Sequence, residues 1–179
     1  MDFLVVVDMQ NDFIDGALGT REARQIVPNV VEHIRQFRKD HPRGEICVTR
    51  DLHVDDYLDT NEGQHLAVPH CIQDTNGEKL NQAVFDELSR GDYEVFFKSQ
   101  FASKSLATHI YYYAQDDVNT IQIIGVCTDI CVVSNALLLK AYLPEDTICV
   151  YGRCCAGTTP ERHQAALDTM RSCQIEVFS

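Results

Sequence analysis

The sequence has no apolar run approaching the roughly 18 residues that a membrane span needs. It also lacks the start of a secretory leader. Asp2 stands where a basic segment would be, and Asp8 ends the apolar run Phe3-Val7 after five residues. Basic residues are few: 15 Lys and Arg face 27 Asp and Glu, a net charge of -12. That balance opposes a phosphate backbone, so no nucleic-acid partner is expected. The turn after the first apolar run reads Asp8-Met9-Gln10-Asn11-Asp12 and has no glycine-rich phosphate cradle, which disfavours a dinucleotide-binding oxidoreductase. Internal repeats and low-complexity stretches are absent too. The expectation is a cytosolic globular protein whose partner is a small molecule.

What is present fits one domain over residues 1–179, long enough to bury a core without disulfides. The eight cysteines are scattered, and with no leader they read as reduced thiols. Cys47 and Cys149 lie in strand-like runs and are expected in the core. Cys154-Cys155 and Cys173 have no assigned role.

Two periodicities alternate along the chain. Strands are expected at Phe3-Val7, Ile46-Val48, Tyr93-Phe97, Thr120-Val126, Thr147-Tyr151 and Ile175-Phe178. Helices are expected at Pro28-Lys39 with Pro28 near the start, around Leu80-Leu88, and over Ser103-Tyr113, Asp129-Tyr142 and Pro160-Ser172. At most two of Tyr111, Tyr112 and Tyr113 are expected to face the core. The alternation predicts an α/β fold: a six-stranded, mostly parallel sheet with helices on both faces. One connection, 51–78, is too long for a plain link, which points to function.

Sites in such sheets form beyond the carboxyl ends of the strands. Four strand ends deliver reactive groups there: Asp8, the run Arg50-Asp51-Leu52-His53, Lys98, and the run Gly125 to Cys131. Cys131 is the candidate nucleophile. A cap by Thr128 or Asp129 would set it in the first turn of a helix, where free N–H groups and nearby Lys98 favour a thiolate. Asp8 would carry the proton. Cys127 is expected to contribute its backbone N–H rather than its thiol. Asp51-x-His53, with His70 further on, offers carboxylate and imidazole ligands suited to Zn, Mn or Fe; Glu62 or His65 would complete the shell. Phe13 and Phe101 are candidates for a flat pocket.

The segments V-V-D-M-Q-N-D-F at 6–13, T-R-D-L-H at 49–53, P-H-C at 69–71, F-K-S-Q-F at 97–101 and G-V-C-T-D-I-C-V at 125–132 resemble the isochorismatase-like cysteine hydrolases, and within them the nicotinamidases. The resemblance implies an isochorismatase-like three-layer fold and a triad of Asp8, Lys98 and Cys131. It also implies a cis peptide between Val126 and Cys127 that turns the N–H groups of Cys127 and Cys131 toward an oxyanion. It makes Asp51, His53 and His70, with Glu62 from the 51–78 loop, the ligands of one divalent metal that binds a pyridine nitrogen. The implied reaction takes nicotinamide and water to nicotinate and ammonia through a thioester on Cys131, in NAD salvage, and the resemblance suggests a homo-oligomer. Leu66 stands where the family often has an aromatic residue. With Phe13 and Phe101 it would line the ring site, and it leaves room for another small amide, a ureido compound or an enol ether as substrate. A non-catalytic regulatory protein would need a lost catalytic position, and none is lost.

Overall fold

The computed structural model describes residues 2–114 and 119–179. The strands are β1 (Phe3–Val7), β2 (Glu45–Asp51), β3 (Glu94–Lys98), β4 (Thr120–Val126), β5 (Thr147–Ala156) and β6 (Glu176–Phe178). They form one sheet in the order β3-β2-β1-β4-β5-β6. Every pairing is parallel, so "mostly parallel" sharpens to all-parallel. The helices are α1 (Asn11–Ile14), α2 (Arg21–Asp40), α3 (Asn61–His65), α4 (Gln82–Leu88), α5 (Lys104–Tyr113), α6 (Val133–Tyr142) and α7 (Pro160–Ser172). None of these is long and apolar enough to cross a membrane.

β1 is the axis of the core. Its five residues are fully buried, Phe3, Val5 and Val7 toward α5, α6 and α7, Leu4 and Val6 toward α2 and α4. The period of two sends alternate side chains to opposite faces, and each such burial is worth about 1.5–3 kcal/mol. Connections run outward from β1 through β2 to β3, then restart at β4 on the other side of β1. The order therefore reverses between β1 and β4, and their carboxyl ends open the crevice where α/β sheets bind ligands. Cys47 and Cys149 are buried, as expected. Cys154 and Cys155, adjacent on β5, are buried on opposite faces of the sheet, and Cys173 is exposed.

Several boundaries differ from the sequence reading. α2 begins at Arg21, and Pro28 lies inside it rather than at its start. Thr20 is the true cap, accepting from the Ala23 N–H at 3.0 Å. Pro28 faces solvent, so the carbonyl it orphans can turn to water. The buried stripe Ala23, Ile26, Val30, Ile34 and Phe37 carries the helix across it. β5 runs on to Ala156, past a register shift opposite Ile123 and Gly125. The 51–78 connection holds a 3-10 turn, Tyr57–Asp59, and α3. α6 starts at Val133, not Asp129, because Thr128–Val132 forms one wide π-type turn. All three tyrosines 111–113 are exposed; α5 turns Leu106, Ala107 and Ile110 inward instead.

Candidate active site

Asp8 leaves the end of β1 with φ 47°, a left-handed conformation uncommon for a residue with a side chain. Its N–H donates to the Thr49 carbonyl at 3.2 Å, and its Oδ1 accepts from Thr49 Oγ1 at 2.7 Å. Its Oδ2 faces Lys98 Nζ at 2.7 Å. Lys98 closes β3 in register with Asp51 at the end of β2. Its ammonium reaches past that neighbour, 3.5 Å from Asp51 Oδ1 and 3.7 Å from Cys131 Sγ. Asp8, Lys98 and Cys131 are all buried. The rim placement read from the strand ends therefore brings the three together.

Cys131 sits in the wide turn, but neither expected cap forms. Thr128 Oγ1 pairs with His163 Nδ1 at 2.8 Å, and Asp129 accepts from the N–H and hydroxyl of Thr158 at 2.8 and 2.6 Å. Both tie the turn to α7 and the residues before it. The Val126–Cys127 peptide is cis. Just before it, Gly125 has φ 123°, and a Cβ there would lie 2.1 Å from the Val7 carbonyl oxygen. Only glycine lets β4 approach β1 that closely.

Burial dominates the electrostatics. It pushes the Cys131 thiol well above its ordinary range; Asp8 adds to the rise and Lys98 opposes it. Burial thus opposes the thiolate expected from the helix end and Lys98. Burial also raises Asp8, against the pull of Lys98. Burial works against charge on Lys98, yet Asp8, Cys131 and Asp51 together hold its pKa above the usual lysine value. The site thus sets a buried thiol and a buried carboxyl, both shifted upward by burial, against one lysine.

Beside it, Asp51, His53, Glu62 and His70 bring one donor atom each to within 4.8 Å of one another. A parallel bridge between His53 and Ile72 folds the long connection back on itself. The His53 N–H donates to the Cys71 carbonyl at 3.0 Å, and the Gln73 N–H to the His53 carbonyl at 2.8 Å. His70 Nδ1 pairs with the Val68 carbonyl at 2.8 Å, which leaves Nε2 facing Asp51 Oδ2 at 3.4 Å and Glu62 Oε1 at 3.6 Å. That orienting bond is the kind metal-binding imidazoles make. Two imidazoles and two carboxylates in a largely buried cluster fit a divalent cation. Between the two candidates for the fourth place, Glu62 is in the cluster and His65 is out, exposed and bonded to the Asn61 carbonyl.

Of the ring-site candidates, Phe13 and Leu66 meet this cluster or its neighbour Tyr57, and Phe101 lies against Asn135. Phe13 on α1 meets His70 edge-on, centroids 5.4 Å apart. Leu66 follows α3, half-buried, and its carbonyl accepts from Tyr57 Oη at 2.9 Å. Phe101 is about half exposed, and its carbonyl is bonded to Asn135 Nδ2 at 3.2 Å.

The sequence profile of the isochorismatase domain matches residues 2–179. The chain belongs to the isochorismatase family. It is accordingly a hydrolase, and the family's segments at strand ends are the ones that converge here. The nicotinamidase/pyrazinamidase of Mycobacterium tuberculosis is 21% identical over 197 residues, covering 99% of this chain and 98% of that protein. The pyrazinamidase of Pyrococcus horikoshii, solved in complex with zinc, is 27% identical with TM-score 0.81 over 99% of this chain and 98% of that one. The pyrazinamidase/nicotinamidase of Streptococcus mutans is 26% identical with TM-score 0.83 over 99% and 100%.

Three residues of this isochorismatase-family site escaped the sequence reading. Gln10 is buried; its amide donates to the carbonyls of Asp51 and Glu78 at 2.8 Å each, and its Oε1 accepts from the Asp51 N–H at 2.7 Å. Tyr57 is buried edge-on against both His53 and His70. Asn135 Nδ2 donates to the Cys131 carbonyl at 2.8 Å while its Oδ1 accepts from the Ser103 N–H at 3.0 Å. Gln10 lies inside a quoted segment and could have been found there. Tyr57 and Asn135 carry no local signal.

Proposed function

We propose that this hydrolase is a metal-containing amidase that converts nicotinamide and water to nicotinate and ammonia, serving NAD salvage. One observation carries the reading: Asp8, Lys98 and Cys131 meet at the crevice between β1 and β4, and Asp51 joins them to the cluster of His53, Glu62 and His70. The names of the relatives, nicotinamidases and pyrazinamidases, support the same substrate class.

In this mechanism the Cys131 thiol passes its proton to Asp8 as sulfur attacks the amide carbon. The carbonyl oxygen takes up negative charge and is received by the N–H groups of Cys127 and Cys131. Asp8 returns the proton to the leaving nitrogen, ammonia departs, and a thioester remains. Water then loses one proton to Asp8 and attacks the thioester carbon; the C–S bond breaks, Asp8 returns that proton to sulfur, and the acid formed gives its remaining proton to solvent and leaves as nicotinate. Lys98 stays charged throughout and holds Asp8 in place. Asp51, His53, Glu62 and His70 would hold one divalent ion, zinc first and manganese or iron as alternatives. That ion supplies a Lewis-acid contact for the pyridine nitrogen and so orients the ring. Phe13, Leu66 and Phe101 line the ring site.

The test is ammonia release from nicotinamide by protein of known metal content, with Cys131→Ala alongside. Release that Cys131→Ala abolishes while metal content is kept supports the whole reading. Substantial turnover by Cys131→Ala would remove Cys131 from the mechanism. Leu66 favours a second reading, because an aliphatic side chain offers no ring to stack on. The substrate would then be another small amide, a ureido compound or an enol ether, and metal-loaded protein would release no ammonia from nicotinamide.

A further inference from the structure

A second cluster of metal-binding side chains lies away from the active site, on the face of the sheet covered by α5. Glu45 and Cys47 are two apart on β2, so both project to that face. His109 descends on them from α5. Glu45 Oε1 pairs with His109 Nε2, and Cys47 Sγ lies 3.5 Å from the same carboxylate oxygen. One donor atom from each of the three falls within 4.8 Å of the others. The imidazole is held from both sides, by Phe96 with centroids 5.0 Å apart and by Tyr113 at 4.7 Å. Glu94 is the register partner of Cys47 on β3, so its carboxylate starts one strand spacing away on the same face. Cys47 is fully buried, whereas Glu45 and His109 are about one-fifth exposed and keep the cluster open to solvent.

We propose that Glu45, Cys47 and His109 form a second metal site, selective for a borderline divalent ion of the zinc class, with Glu94 or water in the fourth position. Imidazole nitrogen, thiolate sulfur and carboxylate oxygen are the ligand set such ions take in tetrahedral sites. Binding displaces the Cys47 proton to solvent, so affinity rises with pH. The ion would join α5 to the start of β2. This chemistry differs from that of the Asp51 cluster, whose four donors are nitrogen and oxygen only. The difference makes the two sites separable.

The experiment is a cobalt(II) titration of the full-length chain, read by stoichiometry and by thiolate-to-cobalt charge-transfer absorption in the near ultraviolet. The expected result is binding beyond one equivalent, with the charge-transfer band growing in the second phase. That band should vanish in Cys47→Ser and persist in His70→Ala, which damages only the Asp51 cluster. Because Cys47→Ser alters a buried position, His109→Ala serves as the second variant. It should weaken the second phase by at least about tenfold. A titration that develops no thiolate-to-cobalt band, or a band that survives both Cys47→Ser and His109→Ala, would overturn the proposal; saturation at one equivalent with a band that Cys47→Ser removes would support it and leave the Asp51 cluster without cobalt.

Discussion

Lys98 and Asp8 form a buried ion pair, Nζ to Oδ2 2.7 Å, between the ends of two strands that are not neighbours in the sheet. Asp51 stands between them, 3.5 Å from the same ammonium. The two partners are therefore not equivalent. Removing Asp8 still leaves Lys98 a carboxylate; removing Lys98 leaves two buried carboxylates facing each other. Lys98→Met should cost about 3–5 kcal/mol of stability in urea unfolding, the range for orphaning a buried charge. Asp8→Asn should cost less, and the double variant less than the sum of the two. Both single variants should lose amidase turnover by at least about a hundredfold. An Asp8→Asn variant less stable than Lys98→Met would show that Asp51 does not compensate.

Asn135 makes three contacts from one buried side chain, to the Cys131 carbonyl, the Phe101 carbonyl and the Ser103 N–H. It joins the turn that carries Cys131 to the segment that follows Lys98. Asn135→Ala leaves the Ser103 N–H and two carbonyls without these bonds, which should destabilise by about 1–3 kcal/mol. If its role is to position Cys131, kcat should fall while KM changes little. A variant that is less stable but has unchanged kcat would reduce Asn135 to a structural staple.

The 51–78 connection offers two candidates for the fourth metal ligand, and they make opposite predictions. Glu62 is in the cluster; His65 is exposed and bonded to the Asn61 carbonyl. Glu62→Gln should lower metal affinity by at least about 10-fold, since losing even an outer-shell partner of a ligand costs that much. His65→Ala should leave affinity unchanged. Dialysis against a graded chelator, followed by metal analysis, measures both. Equal losses in the two variants would mean that the connection rearranges when metal binds.

How much of this was legible depended on how local each signal was. The strand ends announced themselves, since Asp8 and Lys98 each stop an apolar run and Asp51 follows another within three residues, and a parallel sheet puts all such ends on one rim. Pro28 misled because its meaning is set by Thr20 and by the buried stripe on α2, not by its own neighbours. Thr128 and Asp129 looked like caps, but tertiary partners on and before α7 claim both side chains. Tyr57 and Asn135 each join a neighbour four residues away, His53 and Cys131, to a residue farther along the chain, His70 and Ser103, and the second half of each link has no local signal. The burial of Cys131 was not legible either: a helix end stabilises charge by about a kcal/mol, and burial acts on the thiol in the opposite sense.

His33 on α2 sets one pH limit on stability. Its Nε2 pairs with Gln122 Oε1 at 2.8 Å, and its ring lies 4.2 Å from that of Tyr151. Burial lowers its pKa below the ordinary 6.5; Arg153 and His41 add to the fall, and Gln122 opposes it. A lowered folded value means that the unfolded chain takes up a proton first as pH drops. The contribution of His33 is thus complete above about pH 6.5 and is lost as pH falls toward and through the folded value. His33→Gln keeps a polar group beside Gln122 and cannot titrate. The parent Tm should therefore drop more between pH 7.5 and 5.5 than that of the variant. Equal drops in the two proteins would mean that acid sensitivity arises elsewhere. His163 is the next group to examine, since burial also lowers its pKa, and it sits on Thr128 in the turn that carries Cys131.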